Sequence, residues 1–369
     1  MPLSEVGQAR SVYLKLLLND AEVAGVMEAE VGTSDHQIAG WFRVTLALGA
    51  DTTVTAASLS LMTEAVAEIR VGLAGAGLPL AAALWQSLIA GTVDTMVIDM
   101  AAGAAHLTGR DFSALFIDTL TAESFANRTA SEIAQTLAVR HGLDPVVTAT
   151  QTPVGRYYQD GHDLFSLYQS NAAVTEWDLL HALAEAEGFD LFVQDKSLFF
   201  APPLQQTRPT LWQWMPGGLA GTTMSTLRLE RSLALARDIV VTVQSWNSRE
   251  ARMVTQTIRA SAVDTVHRTT ATTSGNAATY VLIRPNLSAE QAMTLATNTL
   301  ADLSRHERVI LATMPGELDL APRSLVTLEG TATDFDQTYV VDEIVRRISP
   351  QDGFMQTIRC VNTPLGAAT

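Results

Sequence analysis

Residues 176–203 read E-W-D-L-L-H-A-L-A-E-A-E-G-F-D-L-F-V-Q-D-K-S-L-F-F-A-P-P. At about 100° per residue, Leu179, Leu180, Ala182, Leu183 and Ala186 gather on one side of a helix that starts near Trp177. Asp178, His181 and Glu185 fall on the opposite side, so the same turn pattern also poses a chemical question. His181 and Glu185 meet at i,i+4 spacing, worth only a few tenths of a kcal/mol on an exposed helix. A metal site needs a third protein ligand, and H-x-x-x-E lacks the paired histidines of a zincin motif. The three polar residues are therefore expected to form a solvated face. Beyond the helix, F-D-L-F-V-Q-D (189–195) and S-L-F-F-A (197–201) flank a tight turn at Asp195-Lys196, and Pro202-Pro203 closes the unit.

Upstream, T-A-S-E-I-A-Q-T-L-A-V-R-H-G-L (129–143) marks its own helix ends. Thr129 and Glu132 have capping-box spacing, and Gly142 can take a left-handed conformation after the last turn. Residues 109–204 thus form one α+β module. On its N-terminal side, S-V-Y-L-K-L-L-L-N-D (11–20) is strand-like. In W-F-R-V-T-L-A-L-G (41–49), Phe42, Val44, Leu46 and Leu48 alternate against Arg43 and Thr45, the period of a half-buried strand. T-M-V-I-D-M (95–100) and A-H-L-T-G (105–109) add two short strands. On the C-terminal side, T-L-R-L-E-R (226–231), D-I-V-V-T-V-Q-S-W (238–246) and three runs after residue 323 return to β-patterning. A helix with a Ser288/Gln291 capping box intervenes and runs to about Arg305. The two β-rich parts are candidates for a related pair.

The bulk numbers narrow the function. A 369-residue chain exceeds one hydrophobic core. With 47% hydrophobic and 17% charged residues it is a folding sequence. The formal charge of -15 argues against stable binding to nucleic acid, and suits a surface that DNA passes without sticking. The single cysteine, Cys360, excludes an intrachain disulfide and thiolate-rich metal sites. The N-terminus lacks a signal-peptide layout. The most apolar stretch, residues 71–90, is broken by glycines and a proline and suits a Gly/Ala-rich loop or a buried strand pair better than a membrane span.

No other constellation points to catalysis. Asp160-Gly161-His162-Asp163 is first a turn signal. Gly72, Gly75 and Gly77 have no Lys-Ser/Thr partner and form no phosphate cradle. Asp334 and Asp336 are the acid pair that a peptidoglycan hydrolase would use. Trp212 and Trp214 are the aromatic pair that a carbohydrate-binding adhesin would expose. These are the rival readings. No catalytic, cofactor-binding or metal residue is assigned.

L-T-G-R-D-F-S-A-L-F-I-D (107–118) leads into S-F-A-N-R-T-A-S-E-I-A-Q-T-L-A-V-R-H-G-L, then into the 176–203 helix and hairpin. Near the C-terminus come L-V-T-L-E-G-T-A-T-D-F-D-Q-T-Y-V-V-D-E-I-V-R-R-I-S-P-Q-D-G-F-M-Q-T-I. This succession resembles the late-control D family, the baseplate tail hub proteins of contractile-tailed phages, which are similar to the N-terminal part of type VI secretion spike proteins. The resemblance implies two tail-tube-like antiparallel β-barrels with an α+β module between them: 1–108, then 109–204, then 205–264 with 307–369, interrupted by a helical insertion at 265–306. It also implies a homotrimeric, non-enzymatic hub in the virion tail, made in the host cytoplasm. Such a hub joins a six-fold tail tube protein to a three-fold central spike protein among other baseplate proteins, with genome DNA only in transit. The acidic composition leads us to expect a net negative lumen. V-G-L-A-G-A-G-L-P-L-A-A-A-L-W (71–85) has no counterpart in the family pattern.

Overall fold

The structure, a computed structural model, describes residues 10–35, 38–49, 54–75, 83–121, 123, 125–126, 128–151, 154, 156–157, 163–165, 174–203, 208–215, 224–233, 235, 239–247, 251–260, 278–284 and 287–363. It is mostly β-sheet with few helices. The first β unit comprises β1 (Arg10–Leu18), β2 (Ala21–Val23), β3 (Val26–Ser34), β4 (Trp41–Ala47), α1 (Ala56–Ser60), β5 (Val66–Gly75), β6 (Leu84–Asp99) and β7 (Ala104–Asp111). Alternation works as expected in β4: Phe42, Val44 and Leu46 are buried, and Arg43 is exposed. They pack with Val31, Leu107 and, from strands folded back over them, Leu16, Ile69 and Val71. The apolar 71–90 stretch contributes to the antiparallel pair β5–β6, with residues 76–82 outside the described set. Among the described residues no helix is long and apolar enough to cross a membrane.

The α+β part contains α2 (Ser113–Ile117), β8 (Leu120–Thr121), β9 (Phe125–Ala126), α3 (Ala130–Arg140), β10 (Asp144–Val147), β11 (Arg156–Tyr157) and β12 (Asp163–Phe165). It continues with β13 (Val174–Thr175), α4 (Glu176–Glu187), β14 (Asp190–Gln194) and β15 (Ser197–Ala201). The Thr129/Glu132 capping box is present on α3, and Thr175/Asp178 forms another on α4, each worth about 1 kcal/mol. Gly188 ends α4 at φ 68, a left-handed position that glycine takes without strain. Ile133, Leu137, Leu180 and Leu183 meet the inner residues of the hairpin, Leu191, Leu198 and Phe200, in one core.

The remainder comprises β16 (Thr210–Gln213), β17 (Thr226–Arg231), β18 (Ile239–Asn247), β19 (Arg252–Ala260), β20 (Ala278–Ile283) and α5 (Ala289–Arg305). It ends with β21 (Arg308–Pro315), β22 (Leu325–Glu329), β23 (Thr338–Ser349) and β24 (Gly353–Asn362). β18 and β19, both within the 205–264 stretch, form a separate three-stranded sheet with β20. α5 covers that sheet through Ala292, Ala296 and Leu300. The other strands surround a core of Trp212, Ile310, Leu328, Tyr339, Ile344, Ile358 and Cys360. Burial raises the Cys360 thiol far above its ordinary pKa, which suits a packing residue.

Both β units belong to one 13-stranded sheet, ordered β17-β21-β24-β23-β3-β4-β7-β6-β5-β1-β2, with β16 and β22 branching from β23. Among the described residues this hydrogen-bonded path is open, and no closed ring is traced. The join between the units is the antiparallel β23–β3 ladder from Glu343↔Ser34 to Ile348↔Ala29. Both strands meet there along edges that would otherwise leave backbone groups unpaired.

Candidate assembly surface

The residues that posed the chemical question are only partly on a wet face. Asp178 is exposed and serves the α4 capping box. His181 and Glu185 are half-buried, and the enclosed His181 Nδ1 atom has no hydrogen-bond partner among the described residues. α5 packs against α4 on this side, with the Asn298 side-chain amide donating to the Glu185 carbonyl at 3.4 Å. Tertiary packing has partly covered the C-terminal half of a face that its composition marked as solvated. The buried charge of this helix is Glu176. Its carboxylate sits 2.6 Å from both the Arg140 guanidinium and His141 Nε2, and His141 packs edge-on against Phe116. The network ties the end of α3 to the start of α4. Sequence reading missed it, although Arg140 and His141 were visible in the last turn of α3.

The rival acid and aromatic pairs are also structural. Asp336 accepts the Thr331 and Ala332 amides at 3.1 Å and the Thr331 hydroxyl, organising its own loop, while Asp334 is exposed. Trp212 is only 2% exposed and Trp214 packs against the same core, so the exposed aromatic pair expected of an adhesin is absent. Of 160–163, only Asp163 is described, in β12. Among the described residues no group of three His, Cys, Asp or Glu side chains is placed to hold a metal.

What the fold does present is a broad polar sheet face crossing the β23–β3 join. Strand alternation puts Arg228, Arg359, Arg347, Arg43 and Arg110 on this face. Each is paired with an acid. Arg43–Glu30 is 3.2 Å, Arg347–Glu28 3.6 Å, Arg110–Asp94 2.7 Å and Arg228–Glu230 2.9 Å, while Arg359 binds the buried Asp342. Exposed pairs of this kind contribute about 0–1 kcal/mol each, so their main effect is to neutralise the face. Between β3, β4 and β7 a shallow depression of about 310 Å³ is lined by Glu28, Glu30, Arg43, Thr45, His106 and Arg347. At the rim of the face the Trp41 ring lies over Gly32, where a Cβ would come within 2.3 Å of it, and Arg43 stacks on the ring at 4.8 Å.

Asp111 fastens the edge of this face. It accepts the Gly40 amide at 2.7 Å, the Ser113 amide at 2.9 Å and the Ser113 hydroxyl. Burial raises its pKa to about 6 even though these donors and Arg110 pull it down. The folded value lies above the unfolded one, so the native state binds the extra proton. This group's contribution to stability is therefore largest below the unfolded pKa of 3.8 and is lost as pH rises through about 6. Urea midpoints of wild type and Asp111→Asn, measured across that window, should diverge in slope, with the variant flatter. Parallel profiles would contradict the assignment.

No family model matches the chain, and no curated protein matches it. Solved structures do. A tail protein from Neisseria meningitidis MC58 aligns with a TM-score of 0.70 at 13% identity, over 95% of this chain and 97% of that one. The chain has a tail-protein fold. The 43 kDa tail protein of prophage MuSo2 from Shewanella oneidensis gives 0.68 at 15% identity, over 95% and 98%. An Escherichia coli component of the type VI secretion system, described as similar to T4 bacteriophage tail proteins gp27 and gp5, gives 0.57 at 10% identity, over 95% and 77%. The alignments with both tail proteins thus take in 95% of the chain, across both β units and the α+β part.

Proposed function

We propose that the protein is the structural hub of a contractile-tail baseplate. Three copies form a ring whose six β units match a six-fold tail tube on one side and a three-fold central spike on the other. The observation that carries this reading is the β23–β3 ladder within a tail-protein fold. It joins two β units edge to edge, the kind of contact a ring of six such units needs. In this proposal the chain keeps two tube-like β units with an α+β module between them. The sheet of β18–β20 and α5 belongs to the insertion and not to the second unit.

The polar face lines the axial passage for DNA in this reading. Its arginines are each paired with an acid, so the face offers a phosphate backbone no cluster of uncompensated positive charge. Glu343, Asp99 and Asp118 add acids beyond these pairs, which supports the net negative lumen expected from the total charge of -15. Light scattering on the purified chain tests the assembly: a mass of three chains is the expected result. A strict monomer at every concentration, together with particles lacking a ring at the tail tip, would overturn it.

A further inference from the structure

The two β units share one strand order, with the difference that β1 meets β5 antiparallel whereas β16 meets β22 parallel. In the first, β3-β4-β7-β6 run side by side and β6 turns to pair with β5, which pairs with β1. In the second, β17-β21-β24-β23 run side by side and β23 turns to pair with β22, which pairs with β16. Chain order is preserved throughout. The turning strand carries its irregularity at an aspartate in both units, Asp94 in β6 and Asp342 in β23. Each aspartate is held by an arginine of the following strand, Arg110 or Arg359.

The repeat has an unmatched half. Beyond its aspartate, β23 pairs with β3. The equivalent half of β6, Thr95–Asp99, lies past the end of its β5 ladder at Thr92 and pairs only with β7 among the described residues. β17, the equivalent of β3, pairs only with β21 among them. We propose that the open edge of β6 in one copy forms an antiparallel ladder with the open edge of β17 in a second copy, repeating the β23–β3 join between chains. This deepens the trimeric-hub reading and rests on it.

The register follows from the repeat. The pair Thr95↔Thr108 follows the Asp94 irregularity as Glu343↔Arg359 follows that at Asp342. Thr108 lies opposite Arg43 and then Glu30, as Arg359 lies opposite Leu311 and then Arg228. The internal pair Arg347↔Glu30 therefore becomes Asp99↔Arg228 between copies, with Val97 opposite Glu230 and Ile98 opposite Leu229. Opposite charges again face one another, with the signs exchanged. Arg228 and Asp99 are exposed, and so is Val97 at 54%, as an unoccupied edge requires. Each copy offers one edge of each kind, so the contact is head-to-tail and closes only as a ring.

Charge reversal tests the register, with oligomer mass as the readout. Asp99→Arg or Arg228→Asp alone should weaken trimerisation by about tenfold or more, because like charges then face across the strands. The double reversal should restore it. Arg228 is exposed, whereas Asp99 also accepts the Ala101 and Ala102 amides at 2.9 Å, so circular dichroism and the urea midpoint of each variant serve as folding controls. Val97→Cys combined with Glu230→Cys should give a covalent ladder up to trimer under mild oxidation. A wild-type trimer that tolerates both single reversals and forms no such cross-link overturns the seam and leaves the hub reading standing. A wild-type chain that never trimerises overturns both.

Discussion

Trp212→Ala should destabilise the protein by about 3–5 kcal/mol, the range for deleting a fully buried large aromatic side chain. Trp212 sits 2% exposed among Ile310, Leu328, Tyr339 and Ile344, where collapse around the vacated volume is limited by strands on every side. It also anchors β16 through the parallel ladder Trp212↔Leu328. The urea midpoint should fall steeply, and Trp212→Phe, which keeps an apolar ring, should recover a large part of the loss. A midpoint unchanged by Trp212→Ala would mean that the side chain does not pack in this core. The same variant separates scaffold from adhesin: a core tryptophan changes stability, whereas a glycan platform would change binding at constant stability.

Gly91→Ala should cost about 3 kcal/mol or more, at or beyond the upper end of ordinary overpacking. Gly91 lies where β6 leaves its ladder with β5 and takes up β7. A Cβ there would fall 1.9 Å from the Arg110 carbonyl oxygen and 2.5 Å from the Asp111 Cα, both backbone atoms that cannot swing aside. Relief requires moving β7 away from β6, which disturbs the Asp111 fastening and the outward half of β6 together. Hydrogen exchange along 91–111 should rise well above that of the α+β core. Uniform protection with native stability would contradict the close approach of the two backbones.

Much of the local structure was legible because its causes are local. The capping boxes at Thr129 and Ser288, the alternation of β4 and the Asp195-Lys196 turn, with Asp195 at φ 51, all depend on residues within a few positions of one another. The Thr175/Asp178 box is equally local, and there Asp178 serves as a capping carboxylate. Burial was less legible. His181 and Glu185 sit on a polar face by periodicity, yet α5, far along the chain, packs over it. β18 alternates as well as any strand of the long sheet, and nothing in its pattern says that it joins β20 under α5.

By itself the sequence determined the helices α3, α4 and α5, strands such as β1, β4, β14 and β18, and the absence of a recognisable catalytic motif, since periodicity, caps and motif spacing act over short distances. Only the tertiary structure decided that β3 and β23, from opposite ends of the chain, share a ladder, that the arginines of the polar face are neutralised in pairs, and that Glu176 rather than His181 carries the buried charge of α4. The physical reason is that strand alternation says which face a residue takes but not which edge its strand will meet. That choice is made where two unsatisfied backbone edges and their cross-strand charges fit, here Arg347 against Glu30.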